Sequence, residues 1–324
     1  MSAANFLVMK ALLYDGRLRL VQDYPEPQLK PGWAVIRVSV AGICRTDLEI
    51  MKGYMGFRGV LGHEFVGVVH ACENEALVGQ RVVGEINAAC GECEWCLQGL
   101  GRHCPHRATL GILNLDGCLA EYCTLPIANL HGVPDPISDV RAVFTEPVSA
   151  AFEPLEQVNI TGEERCVVLG DGKLGILCAW ALATTCPNVT IVGHHPAKVE
   201  AAAWRLLQAT TSIDAVAPGA DLVVEATGTE SGLREAIALC RPRGTIILKS
   251  TVAAGASLNL APVVVNELNI VGSRCGPFQR GLQGLLTYDF PLERLIKGQY
   301  PLDEALAAFA HAARPDALKV LIEM

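Results

Sequence analysis

The sequence predicts an α/β chain in two parts, a strand-rich lobe and a doubly wound parallel sheet. Two textures and one loop carry this expectation. The first 145 residues read as short strands between Gly- and Pro-containing turns, with little helical periodicity. From Arg165 onward, short apolar strands alternate with amphipathic helices, and a glycine-rich turn stands at the head of that alternation. With 324 residues, 51% hydrophobic and 19% charged, the chain is globular and long enough for one large or two medium domains. A net charge of −8 disfavours nucleic acid or an anionic membrane as the main partner. No apolar run reaches the ~18 residues of a membrane span, and the opening MSAANFLVMKALLYDG lacks the basic end and apolar core of a signal peptide.

Taken in order, the strands expected in the first part are Ala34–Ala41, Phe65–Val69, Arg81–Ile86 and Ala120–Leu125. Between the last two lies Cys90, Cys93, Cys96 and Cys104, a C-x2-C-x2-C-x7-C run within a lobe spanning 88–106. Four thiols so spaced converge easily on one tetrahedral centre. Zinc held by four protein ligands has no open position, so this reads as a structural site. Two disulfides or an iron–sulfur cluster are the alternatives. Of the thirteen cysteines, eight (Cys72, Cys118, Cys123, Cys166, Cys178, Cys186, Cys240, Cys275) are scattered and read as small buried hydrophobes. That usage implies a reducing compartment, the cytoplasm.

In the second part the expected order is Cys166–Leu169, a helix from Lys173, Val189–Val192 and a helix from Ala197. Asp221–Glu225, a helix near Ser231–Cys240, Thr245–Lys249 and Asn269–Gly272 follow, with the crossover after Gln208 trimmed. Gly170, Gly172, Lys173, Leu174 and Gly175 belong to G-D-G-K-L-G, directly after a strand and at the mouth of a helix. This context marks a dinucleotide site: a tight turn, close backbone approach to a pyrophosphate, and helix N–H groups facing it. The end of the second strand separates NAD from NADP. An acid there would accept from the ribose hydroxyls. This chain has Gly193, His194, His195 and Pro196 instead, with Lys198 following, so NADP(H) is expected to be preferred over NAD(H). The alternative is that both histidines are loop residues and either cofactor is accepted.

Cys44, Thr46 and Asp47 in G-I-C-R-T-D, with His63 and Glu64 in G-H-E, complete the set of chemistry-bearing residues. Together with the four-cysteine lobe, Glu146-Pro147, G-D-G-K-L-G, E-A-T-G at Glu225–Gly228 and A-L-K-V at Ala317–Val320, they stand in one characteristic order. In that order the chain resembles the medium-chain zinc alcohol and polyol dehydrogenases over essentially its whole length. The resemblance implies a GroES-like catalytic domain from residues 1–147 and 277–324, with a Rossmann domain, 148–276, inserted between them. It implies two zinc ions per chain. Cys44 and His63 match the first two catalytic ligands, and Glu146 the acid third ligand of the polyol enzymes. Glu64 matches a glutamate that binds zinc in some members, and Glu153 is a weaker competitor. Asp47 orients His63, Thr46 takes the substrate proton, and Thr227 and Arg274 are candidate cofactor contacts.

The chemistry so implied is hydride transfer between a secondary alcohol or polyol and NAD(P)+, or reduction of the matching carbonyl, with zinc polarising the oxygen. Homodimers or homotetramers are the implied assembly. One position departs from the pattern: Glu49 stands where the family commonly has the histidine that ends the proton relay. Either Glu49 ends the relay or protons leave through water. The competing functions are a zinc-free enone or quinone reductase and a non-catalytic zinc- and nucleotide-binding redox sensor.

Overall fold

The computed structural model describes residues 7–250 and 259–324. The chain divides into two compact units, Met1–Glu146 with Ile296–Met324, and Pro147–Leu295. The return to the first unit therefore falls after Leu295, not at residue 277. An aromatic cluster keeps the intervening segment in the second unit. Phe290 stacks on Trp180 with ring centroids 5.9 Å apart and lies 4.9 Å from Trp204. Gly284, on helix Phe278–Thr287, packs so closely on Phe152 that a Cβ there would come within 2.4 Å of the ring. Trp204 Nε1 also donates to the Asp289 carbonyl at 2.9 Å. These contacts join residues far apart in sequence, which the composition of 277–295 does not announce.

In the first unit the long strand Trp33–Ile43 is the spine, its apolar residues buried on both faces. One sheet runs in the order Leu130–Gly132, Arg81–Gly84, Glu64–Cys72, Trp33–Ile43, Lys319–Glu323 and Ile296–Pro301, with Tyr122–Pro126 also paired to the spine. The strand Lys319–Glu323 thus brings the chain's far end against its beginning. Leu18–Pro25, Val8–Tyr14 and Gly59–Val60 make a second sheet. The cysteine lobe leaves and re-enters through the antiparallel pair Asn87–Ala88 and Ala108–Leu110, in which Ala88 faces Ala108. That pairing closes the lobe at its base.

The second unit holds a six-stranded, wholly parallel sheet. Its order is Gln208–Thr210, Val189–Val192, Cys166–Leu169, Ala220–Glu225, Cys240–Leu248 and Asn269–Gly272. Helix Lys173–Ala183 is apolar nearly all round and buried from Gly175 to Leu182, as a crossover helix covering a sheet must be. After Gln208–Thr210 only the short turn Ile213–Ala215 precedes the next strand, which is the trimmed crossover. Val167, Leu169, Val223 and Ile246 centre one core, packed against Ala236 and Leu239 of helix Glu230–Leu239. Among the described residues no helix is long and apolar enough to cross a membrane.

Candidate functional site

Register alone brings the first group of residues together. Gly42 pairs with Glu64 on one side of the spine, and Val320 pairs with Ile43 on the other. Cys44, at the spine's end, therefore lies beside the starts of two neighbouring strands. Cys44, His63 and Glu64 each offer a ligand atom within 4.8 Å of the others. Asp47 ties the group together. Fully buried, it accepts from the backbone N–H of Cys44 at 2.7 Å and of Gly62 at 3.2 Å. Its Oδ1 lies 3.4 Å from Nδ1 of His63, a buried nitrogen with no aligned hydrogen bond. Burial works against a charged His63, but the Asp47 carboxylate and the Cys44 sulfur outweigh it and raise the imidazole well above its ordinary value. A soft thiolate, an imidazole braced at one nitrogen and a carboxylate make a donor set that suits zinc.

A buried cation stands against that set. Lys319, 0% exposed, donates to Glu64 Oε2. Burial lowers its ammonium to about 8, with Cys44 and Asp47 opposing that shift. Its ammonium also lies 5.5 Å from the centroid of the Phe144 ring. Gly42 makes room for it, because a Cβ there would sit 1.8 Å from Lys319 Nζ. The glycine of G-I-C is thus the floor under an ion pair. Sequence reading quoted Lys319 only as part of a motif and assigned it no role.

The remaining candidates of this unit are placed differently. The Thr46 hydroxyl lies 3.8 Å from Cys44 Sγ. Glu49 is paired with Arg45 at 2.9 Å and Lys52 at 3.1 Å on helix Arg45–Ile50. Partial burial would raise its carboxyl, but the Lys52 hydrogen bond and the two positive charges hold it below the usual range. Glu146 lies in the first turn of helix Thr145–Gln157, outside the set formed by Cys44, His63 and Glu64. Glu153 sits two turns further along the same helix.

The cysteine lobe gathers its four sulfurs as the spacing predicts. They lie 3.5 Å (Cys93–Cys96 and Cys90–Cys104), 3.7 Å (Cys93–Cys104) and 3.9 Å (Cys90–Cys96) apart. A tetrahedral ion with metal–sulfur bonds of ~2.3 Å has edges of about 3.8 Å. None of these separations is that of a disulfide, whose sulfurs lie ~2.05 Å apart. The backbone amide of Cys90 leads in holding the Cys104 thiol down to about 6, whereas desolvation pushes Cys96 up to about 12.

In the second unit, Gly170 and Gly175 form the expected cradle. Gly170 has φ +114°, and a Cβ on Gly175 would lie 2.0 Å from the Gly170 carbonyl oxygen. Gly172, the N-cap of helix Lys173–Ala183, has nothing within 4 Å of its Cβ position, so the backbone there is open to a ligand. Lys173 and Leu174 begin the helix, half-buried. Thr227 is bound to Glu225, donating from its N–H at 2.7 Å and its hydroxyl at 2.5 Å. Arg274 is exposed, and its carbonyl accepts from the buried Lys249 at 2.8 Å. Lys198 is only 9% exposed on helix Pro196–Ala201, while His194 and His195 are exposed. One buried carboxylate beside this loop escaped sequence reading. Asp171, the variable residue inside G-D-G, turns toward the end of strand Val189–Val192 and accepts from the backbone N–H groups of His194 and His195, each at 2.7 Å. A reading that searches for the acid at the strand's own end passes over it.

Comparison with known proteins matches both units. The family described as "Alcohol dehydrogenase GroES-like domain" matches residues 30–135, and "Zinc-binding dehydrogenase" matches residues 175–287. An L-threonine 3-dehydrogenase of Streptomyces avermitilis is 30% identical, over 94% of this chain and 95% of its own. An erythritol/L-threitol dehydrogenase of Mycolicibacterium smegmatis is 29% identical over 90% of this chain and 89% of its own. Among solved structures, an Escherichia coli alcohol dehydrogenase complexed with NADH superimposes with a TM-score of 0.87 at 25% identity, covering 98% of this chain and 99% of its own.

Proposed function

Because the chain belongs to the medium-chain zinc-binding alcohol and polyol dehydrogenases, and is an oxidoreductase of that kind, we propose that it interconverts a secondary alcohol or polyol and its carbonyl using one catalytic and one structural zinc. The observation that carries this reading is the convergence of Cys44, His63 and Glu64 beside a buried Asp47. Cys90, Cys93, Cys96 and Cys104 hold the structural ion. Cys44 and His63 are the first two catalytic ligands, and the third is a carboxylate. The position of Glu64 supports that residue, whereas its ion pair with Lys319 supports Glu146. When bound, zinc polarises the substrate oxygen and the dinucleotide takes or gives the hydride.

The chain's own residues do the rest. Asp47 fixes the ring of His63. The Thr46 hydroxyl takes the substrate proton, a role that its position beside the Cys44 sulfur supports. Glu49, held ionised by Arg45 and Lys52, is a poor terminus for a relay, so the proton passes to water. Gly170, Gly172 and Gly175 let the backbone approach the pyrophosphate, and Lys198, on helix Pro196–Ala201, with Thr227 and Arg274 are the further candidate contacts. Assembly as a dimer or tetramer and residence in a reducing cytoplasm belong to the same reading, the latter supported by the free cysteines.

Elemental analysis tests the proposal. Protein purified without chelator should carry about two zinc ions per chain and oxidise a polyol or secondary alcohol. Cys44→Ser should retain one ion and lose turnover. Glu64→Gln and Glu146→Gln, analysed in parallel, identify the third ligand by which one loses the ion. A Cys44→Ser variant with full turnover would sink the assignment.

A further inference from the structure

The second parallel strand, Val189–Val192, is followed by Gly193, and the next acid in sequence is Glu200, on helix Pro196–Ala201. In space, an acid lies beside Gly193. A Cβ built on Gly193 would lie 2.4 Å from Cβ, 2.7 Å from Cγ and 2.5 Å from Oδ2 of Asp171. The Asp171 side chain therefore fills the room that a side chain at position 193 would take. Its Oδ2 accepts from two successive backbone N–H groups, those of His194 and His195. Both carboxylate oxygens also approach His195 Nδ1, at 3.0 and 3.2 Å.

We propose that Asp171 supplies, from the glycine loop, the carboxylate that the end of this strand lacks, and that it sets the cofactor preference toward NAD(H) over NADP(H). The inference rests on the dinucleotide reading above and reverses the preference expected from Gly193, His194 and His195. Two physical arguments carry it. Successive N–H groups in a turn form a concavity suited to an anion such as a 2′-phosphate, and Asp171 already occupies this one. A carboxylate also repels a phosphate while accepting hydrogen bonds from free ribose hydroxyls. Oδ1 keeps that capacity, since its single partner among the described residues is the imidazole of His195, a side chain 49% exposed. Although burial opposes ionisation, the backbone and imidazole hydrogen bonds of His195 hold the carboxyl below its usual range. A glycine at 193 is then the consequence of the carboxylate arriving from elsewhere. It does not mark an empty phosphate pocket.

The test is equilibrium binding of NADH and NADPH to the zinc-replete protein, read by cofactor fluorescence and needing no turnover. The parent should bind NADH at least about tenfold more tightly than NADPH. Asp171→Asn, the same shape without the charge, should weaken NADH about tenfold and leave NADPH unchanged or tighter. His195→Ala, which spares the carboxylate, should keep the NADH preference. A parent that prefers NADPH would overturn the proposal, as would an Asp171→Asn variant that weakens both cofactors equally, the mark of a merely structural loop contact. Binding of neither dinucleotide by the parent would overturn the underlying dinucleotide reading instead.

Discussion

Gly172→Ala and Gly175→Ala, made side by side, separate what the glycine loop does for a ligand from what it does for the fold. Gly172 has φ −71° and ψ 166°, a conformation open to any residue, and nothing lies within 4 Å of a Cβ placed there. The free protein should tolerate that methyl, with stability within about 0.5 kcal/mol of the parent, as for other substitutions that touch nothing. The same methyl projects into the space the pyrophosphate needs. Pushing a ligand off a methyl costs about 1–3 kcal/mol on the scale of overpacking. With ~1.4 kcal/mol per decade, NADH affinity should fall roughly five- to 150-fold. Gly175 is the reverse case. Its Cβ would lie 2.0 Å from the Gly170 carbonyl oxygen, a backbone atom that cannot rotate away. Helix and strand must then separate, and urea denaturation should show a loss of about 1–3 kcal/mol before any ligand is added. The assays are urea denaturation of the free protein and NADH titration followed by fluorescence. Undiminished NADH binding by Gly172→Ala, or a Gly175→Ala variant as stable as the parent, would refute the reasoning.

Two further perturbations address the first unit. Cys96→Ser breaks the four-sulfur cage and should release one zinc per chain, lowering the melting temperature while the ion at Cys44 stays; an unchanged melting temperature would contradict a structural ion in the lobe. Lys319→Met strands the buried carboxylate of Glu64. Removing one partner of a buried pair costs about 3–5 kcal/mol, which urea denaturation would register, and Lys319→Met with Glu64→Gln should recover most of it. A single variant that loses less than about 1 kcal/mol would show that the ion pair is not held in solution.

How much could be read beforehand follows the distance over which each feature is encoded. The convergence of the four lobe sulfurs was legible because the cysteines fall within fifteen consecutive residues and need only a loop closed at its base. Much of the parallel sheet was legible for a similar reason: its central strands are short apolar runs whose burial is decided locally, and Cys166–Leu169 and Val189–Val192 carry the bounds that their composition suggests, whereas the polar, largely exposed Gln208–Thr210 gives no such signal. The unit boundary was less legible. Helix Phe278–Thr287 has a clear apolar face, with Phe278, Leu282 and Leu285 buried, but that periodicity does not say which unit the face meets; contacts of the segment 278–290 with Phe152, Trp180 and Trp204 decide it.

Glu64 and Asp171, two carboxylates whose surroundings the sequence does not reveal, each lie beside a glycine, and the glycine was the readable trace. Gly42 is required because an ammonium from Lys319, 255 residues away from its partner Glu64, fills the missing side-chain volume. Gly193 faces Asp171, which arrives from the neighbouring strand's loop to occupy the space beside it. In sequence each glycine looks like an omission: a motif position without a function, or a strand end without its acid. In three dimensions each is the complement of a charged group supplied by another segment. A missing side chain at a functional strand end therefore poses the question of which distant residue uses the space. For Gly193, comparing NADH and NADPH affinities in Asp171→Asn answers it directly.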